Sequence, residues 1–425
     1  MATKIVSNIQ RSGISTVVGI LACQNDSYLK TLSTSVVACT KTPPPAKKEK
    51  AASDWTGYEV EFEDTVLFPE GGGQPYDTGV AIVNGKEIKV KNVQRDGLTA
   101  VHLVDEEIPQ NSRVELKVDW KRRLDHMQQH TGQHLLSAVL DKRNLETLAW
   151  NLGQKVCYIE LPRKLSDEEV AEVQQEVNEE IFKNRPVEVE HPEQEKHDTV
   201  DHKVPENYDL AKGVLRVIHI DGLDANPCCG THLKSTGEIG ALALLHSLPI
   251  RGTNSRLFFV AGDRVAKYAA DMNIVVRKAN ALLSCQTEEV EDKISRLSIQ
   301  VKDLVSREKS WQSQVARFEA AQIIRDLEEK KLAILHKPEG TMDYLRVVEK
   351  ELGKVEPGQG TIVLLSGVGK AGGSIVISGD KTDEIAGKVK EIVTNVKGGG
   401  KGKWQGKVPV WEKGAIEGVL ALKLD

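Results

Sequence analysis

The chain has 425 residues, 40% of them apolar and 28% charged, and a formal net charge of −5 at pH 7. That length exceeds one ordinary core and predicts two or three domains, while the composition excludes a fibrous or wholly disordered chain. No stretch reaches the roughly 20 apolar residues a membrane-spanning helix needs, and the six cysteines, scattered except for Cys228 and Cys229, make no disulfide framework. A soluble protein of a reducing compartment, the cytoplasm, is expected.

Residues 1–20 carry Lys4, Arg11, several Ser and Thr, and no acid before Asp26, but no long Arg-rich amphipathic helix. They read as an N-terminal extension rather than a transit peptide. From about Ser33 to Trp120 the pattern is strand-like: alternation at Tyr58-Val60-Phe62, Ile88-Val90 and Val114-Leu116-Val118, with turns at Asn84-Gly85 and Asp96-Gly97. Short strands and tight turns predict a small β-barrel, interrupted by an exposed Pro- and Lys-rich loop from Thr42 to Lys50.

From Lys121 the pattern is mixed. His126, His130 and His134 recur every four residues and share one face of a predicted helix. Ser166 to Glu169 has the spacing of a capping box and opens a second helix carrying Val170, Val173, Val177 and Ile181. Val214 to Ile220 reads as a buried strand that runs into a loop holding Cys228-Cys229-Gly230-Thr231-His232. Residues 263–331 are long-helical and charged, with Ile294, Leu297, Val301, Leu304, Trp311, Val315 and Phe318 in three-four spacing interrupted by Glu308. That row fits either a coiled-coil arm or one long helix packed on its own domain. Two apolar strands, 361–365 and 374–377, a helix with Ile385, Val389 and Ile392, and a basic glycine-rich loop from Gly398 to Lys407 predict a small C-terminal α/β domain.

Two motifs carry metal chemistry. His130 and His134, and Cys228 and His232, each offer imidazole or thiolate donors four residues apart, and the set suits one zinc ion. With four ligands present, His126 is assigned to structure. A metalloprotease helix needs glutamate after its first histidine, and that position is Thr131. The segment Phe68-Pro69-Glu70-Gly71-Gly72-Gly73-Gln74-Pro75 exposes backbone N–H groups after a strand. It lacks the Gly-Lys-Ser/Thr of a phosphate loop, so nucleotide hydrolysis is not supported.

The glycine-rich segment, the helical His-x-x-x-His followed by Leu-Leu, and Cys-x-Gly-Thr-His together resemble the free-standing alanyl-tRNA editing proteins and the editing domain of alanyl-tRNA synthetase. The three motifs occur in that family's order, and the resemblance spans about residues 22 to 425, closest to the family's long form. It implies an α+β fold in five parts: an extension (1–20), a glycine-motif β-barrel (21–120), a zinc-binding editing core (121–262), a helical arm (263–335) and a tRNA-binding-like domain (336–425). It also implies hydrolysis of serine, and of glycine, from the tRNA for alanine, with His130, His134, Cys228 and His232 as zinc ligands. Synthetase activity is not expected, because no class II ATP-binding module precedes the barrel.

The resemblance further makes Thr65 a partner for the serine hydroxyl, puts Gln133 beside the substrate amino acid, and has Gly71, Gly72, Gly73 and Gln74 shape the pocket wall. Asp224 matches a common acidic position. No side chain in the motifs is a convincing general base. With a net negative charge, attraction for RNA must be local. The best cluster is Lys397, Lys401, Lys403 and Lys407, with Arg122 and Arg123 beside the zinc helix. The helical arm or the C-terminal domain offers a route to a dimer. Two alternatives stay open: a non-catalytic zinc-stabilised tRNA-binding module, and an editing deacylase of different tRNA specificity.

Overall fold

A computed structural model describes residues 12–42, 57–191, 214–353 and 357–424. The chain forms two compact units that divide between Val275 and Val276.

The first unit begins with a one-turn helix, α1 (Ala22–Asn25), and six strands: β1 (Thr31–Lys41), β2 (Tyr58–Phe62), β3 (Gly79–Val83), β4 (Lys86–Asp96), β5 (Thr99–Val104) and β6 (Arg113–Val118). They close into a barrel in the order β1-β2-β5-β4-β3-β6. The expected alternation supplies its interior, where Val60, Phe62, Ile88, Val90, Val114 and Leu116 pack with Leu67 and Phe68. Asn84 (φ +50°) and Gly85 (φ +82°) make the two-residue left-handed turn between β3 and β4, the turn that matches strand twist. Bulges in β1 between Val36 and Ala38, and in β4 between Val90 and Asn92, supply the added curvature closure needs.

The expected extension differs in its second half. Thr16 N donates to Glu63 O and Val18 N to Leu98 O, and Val18 joins the barrel core, so residues 12–20 are a strap on the barrel. Most of the expected Pro- and Lys-rich loop, residues 43–50, lies outside the described residues, as do residues 1–11.

Asp119 caps α2 (Trp120–Asp141) through the Arg122 N–H. There follow β7 (Ala149–Asn151), β8 (Cys157–Leu161), α3 (Asp167–Phe182), β9 (Val187–Glu190), β10 (Val217–Ile220), β11 (Asp224–Pro227), β12 (Leu242–Pro249), β13 (Ser255–Ala261) and α4 (Asp263–Leu283), within which the division between the units falls. The strands form a sheet of order β11-β10-β9 and another of order β12-β13-β8-β7. Helices α2 and α3 pack Met127, Leu135, Val139, Val173 and Val177 against Ile159, Leu257 and Phe259 in a second core. Ser166 and Glu169 close the predicted capping box on α3. The segment before the second ligand motif, read as loop, includes β11, which pairs along β10 from Ile220↔Asp224 to Val217↔Pro227. Its residues lack apolar alternation because only one edge of it is paired.

The second unit contains α5 (Val290–Lys330), β14 (Leu332–Lys337), α6 (Met342–Leu352), β15 (Thr361–Gly367), β16 (Gly373–Gly379), α7 (Thr382–Ile392), β17 (Lys397–Gly399), β18 (Lys403–Val408) and α8 (Ala415–Leu420). Its sheet has the order β14-β15-β16-β18-β17. The expected glycine-rich loop is largely a hairpin: Gly398 pairs with Gly406 across β17 and β18, while Trp404 and Val408 alternate into the core. Among the described residues no helix is long and apolar enough to cross a membrane.

Candidate functional site

The helical ligand pair and the loop pair meet. One nitrogen each of His130, His134 and His232 and the Cys228 sulfur all lie within 4.8 Å of one another, and all four residues are buried. Cys228 Sγ is 3.3 Å from both His130 Nε2 and His232 Nε2. A tetrahedral zinc with ordinary Zn–S and Zn–N bonds sets sulfur and nitrogen about 3.6 Å apart, so this donor set fits a single such ion.

The charges on Cys228 and His232 agree with that chemistry, whereas His134, paired with Asp224, must give up a proton to join it. Burial pushes the Cys228 thiol up, but the facing His130 and His232 outweigh it and hold the thiol well below its ordinary value. Burial and the neighbouring His130 hold His232 well below the usual imidazole range. His134 is raised to about 9, because Asp224 and Cys228 outweigh the effect of burial. Asp224 Oδ2 stands 3.7 Å from His134 Nδ1.

Surrounding side chains aim the ligands. Gln74, fully buried, accepts from Thr231 N (2.9 Å) and from His130 Nδ1 (2.8 Å) with one oxygen, while its Nε2 donates to Thr231 Oγ1 (2.8 Å). A proton held on Nδ1 leaves His130 Nε2 bare toward the sulfur. Thr131 accepts from Leu233 N (3.1 Å) and its hydroxyl lies 3.3 Å from His232 Nδ1, which orients that ring. Arg216, 2% exposed, donates to Cys228 O (2.9 Å), Gly230 O (2.7 Å) and Gln24 O (3.1 Å). Gln24 donates to Cys229 O at 2.7 Å. The main-chain carbonyls of loop 228–230 are thus held by the side chains of Gln24 in α1 and of Arg216, just before β10.

The glycine segment runs beside this loop. Gly72 (φ +58°) and Gly73 (φ +76°) take left-handed conformations between the bridged residues Gly71 and Gln74. A methyl on Gly72 would lie 4.0 Å from Cys229 N, and one on Gly73 would come within 2.9 Å of Trp150 Cδ1. On Gly230 a methyl would run into the His130 ring and come 2.7 Å from Gln74 Oε1.

Curated relatives cover nearly the whole chain. An alanyl-tRNA editing protein of Saccharomyces cerevisiae is 39% identical over 92% of this chain and 93% of its own length. One of Rattus norvegicus is 32% identical over 91% and 93%. The chain belongs to the alanyl-tRNA editing protein family. Residues 215–265 match the family model for the threonyl and alanyl tRNA synthetase second additional domain, and residues 22–122 the model for class II (A) tRNA synthetases. An alanine–tRNA ligase of Pyrococcus furiosus is 30% identical over 83% of this chain but only 39% of the ligase.

In this member of the alanyl-tRNA editing family the other expected site residues fall in several places. Gln133 lies on the ligand-bearing turns of α2, 4% exposed. Its Nε2 donates to Ser137 Oγ (2.9 Å), and its buried Oε1 has no partner among the described residues. Thr65 is buried and engaged: its hydroxyl accepts from Leu67 N (3.0 Å) and lies 2.8 Å from His102 Nε2. His102 Nδ1 faces Val60 O at 3.2 Å, so its Nε2 is the acceptor and Thr65 the donor. Burial lowers His102 to about 4, which keeps it neutral.

Arg123 is corrected. It is fully buried, ion-paired with Asp77, and donates to Ser27 O (2.9 Å) and Val66 O (2.6 Å), so it cannot meet RNA. Arg122 donates to Tyr76 O at 2.9 Å. In the second unit Lys397 and Lys407 are cross-strand partners, Lys403 sits a further four residues back with Nζ 2.7 Å from Glu349, and Lys401 occupies the turn; all four are exposed. His126 is buried, with neither ring nitrogen hydrogen-bonded among the described residues, and burial lowers it to about 4. Gln24, Thr131, Trp150 and Arg216 were not singled out from sequence. Only the Gly-Thr-His context hinted at the last ligand's neighbours.

Proposed function

We propose that this protein is a zinc-dependent hydrolase that removes serine, and secondarily glycine, from the tRNA for alanine. The observation that carries this reading is the buried meeting of His130, His134, Cys228 and His232 in a chain of the alanyl-tRNA editing family. The need for such an activity is physical. A pocket made for alanine separates it from serine or glycine by only about 1–3 kcal/mol, the worth of one small group, so a second site must clear the errors.

Bound zinc would supply Lewis-acid polarisation of the ester carbonyl. The protein's own groups orient the substrate around it. Gln133 Oε1 is a buried acceptor awaiting a donor, which suits the α-ammonium or hydroxyl of a seryl ester, and its amide is fixed by Ser137. Thr65 already commits its hydroxyl hydrogen to a bond with His102, so toward a serine hydroxyl it offers only an accepting lone pair. Water adds across the ester and releases free amino acid and tRNA.

A second reading is favoured by one observation: four protein donors already complete a tetrahedral shell, whereas catalytic zinc keeps a position open. On that reading the metal stabilises a tRNA-binding module without catalysis. One experiment separates the two. Purified metal-loaded protein is expected to deacylate Ser-tRNA for alanine, to spare Ala-tRNA, and to lose the activity in Cys228→Ala. No deacylation by a zinc-loaded preparation, or full deacylation by a zinc-free one, overturns the catalytic reading.

The tRNA would meet the exposed face of the β17–β18 hairpin at Lys397, Lys403 and Lys407, with Lys401 in its turn. A dimer is proposed through α5, where Ile294, Leu297, Val301, Leu304, Trp311, Val315 and Phe318 are 40–78% exposed in heptad spacing, a seam a second copy can cover.

A further inference from the structure

The glycine segment that carries Gln74 also seats an aromatic side chain that nothing above employs. Trp150 sits in the middle of β7, the edge strand of its sheet, and is paired there with Ile159. That register turns Trp150 to the same side of the sheet as the buried Ile159, toward the core that holds α2. Yet Trp150 is 41% exposed, and among the described residues no further strand lies beyond β7. Its pyrrole half rests on Gly73, where even a methyl group would collide with it. Gly73 is followed at once by Gln74, whose oxygen bonds the ligand His130. A large apolar ring is therefore seated by a side-chain-free backbone within one residue of the side chain that aims the metal ligand, and it remains open to solvent. The strand's approach is fixed to the same helix, because Thr147 Oγ1 lies 2.7 Å from Ser137 Oγ, which in turn holds Gln133.

We propose that Trp150 is a binding platform for the terminal nucleobase of the RNA whose aminoacyl ester enters the site. The proposal rests on the deacylase reading and extends it to the nucleoside half of the substrate. An ester at a ribose hydroxyl brings its own base with it, one sugar away from the reacting carbon. An unstacked base at an RNA end is held most readily by an aromatic face, and such a contact carries little sequence preference. Gly73 then has a defined role as the seat of the indole, so the glycine segment serves the metal through Gln74 and the base through Gly73.

The test uses the full-length, metal-loaded chain. Trp150→Ala is expected to raise KM for seryl-tRNA roughly tenfold, the loss of one base–aromatic stack, with kcat, metal content and the preference for seryl over alanyl ester unchanged. Trp150→Phe is expected to restore most of the KM, because a smaller ring still stacks. Separately, adenosine 5′-monophosphate is expected to quench tryptophan fluorescence in the wild type and not in Trp150→Phe, while ribose 5-phosphate quenches neither. If wild type hydrolyses the ester but Trp150→Ala keeps its KM, or changes only the choice between amino acids, the platform proposal is wrong. If wild type does not hydrolyse the ester at all, the deacylase reading fails instead, and the nucleotide quench then decides the platform on its own.

Discussion

His130 is aimed by a side chain 56 residues away in sequence, Gln74, through a single 2.8 Å bond. Replacing Gln74 by Leu removes that acceptor and frees the ring to rotate or to protonate the other nitrogen. Metal affinity, read by competition with a chromophoric chelator, is expected to fall roughly 10- to 100-fold; an unchanged affinity would refute the role. His102 bears on stability instead. Its folded value of about 4 lies below the ordinary 6.5 of an exposed imidazole, so the unfolded chain takes up its proton first as pH drops. The stabilisation is intact above pH 6.5 and is lost progressively toward pH 4, about 3 kcal/mol through this one side chain. Denaturant unfolding of His102→Gln at pH 7 and near pH 4 is expected to show a correspondingly smaller acid loss. The four clustered donors were legible in the sequence because their residue types and four-residue spacings mark both pairs. Gln24, Arg216 and His102 were not, because bonds to the main chain of a remote segment leave no local pattern. Arg123 was misread because a buried guanidinium and a surface one look alike until Asp77 is seen beside it.

At the scale of elements, two loops face each other and are joined by the buried side chain of Gln74: the glycine segment of the barrel, and residues 228–232. Gly230→Ala would drive a methyl into the His130 ring. Metal binding is expected to disappear while the circular dichroism of the folded chain persists; retained binding would mean that the loop can move aside. The buried pair Asp77–Arg123 joins the barrel to α2, since Asp77 also accepts from Phe68 N (2.7 Å) at the start of the glycine segment. Strands and helices with a clean apolar period were readable in advance, as in β2, β6 and α3. β11 and β17 were not, because a short strand with one paired edge, or one made of Lys and Gly, carries no hydrophobic alternation. On the β17–β18 hairpin, changing Lys397 and Lys407 to Glu is expected to weaken tRNA binding and to flatten its salt dependence, by roughly 0.7 in log–log slope for each phosphate no longer neutralised. An identical slope would remove the hairpin from the interface.

At the scale of the molecule, the heptad row on α5 predicts self-association. Sedimentation of the full chain at micromolar concentration is expected to give a dimer, and Leu304→Glu, which places a charge in the row beside Glu308, a monomer; a monomeric wild type would leave the row to some other partner. The four donors come from two stretches about a hundred residues apart, and neither pair alone makes a site. During synthesis on the ribosome, His130 and His134 emerge with the barrel behind them, while Cys228 and His232 follow roughly 5–20 seconds later at ordinary elongation rates. For that interval the nascent chain displays a half-finished chelate. On the zinc reading, metal capture would be a late event in the protein's birth, and an amino-terminal fragment released before His232 would contain the whole barrel but an incomplete donor set.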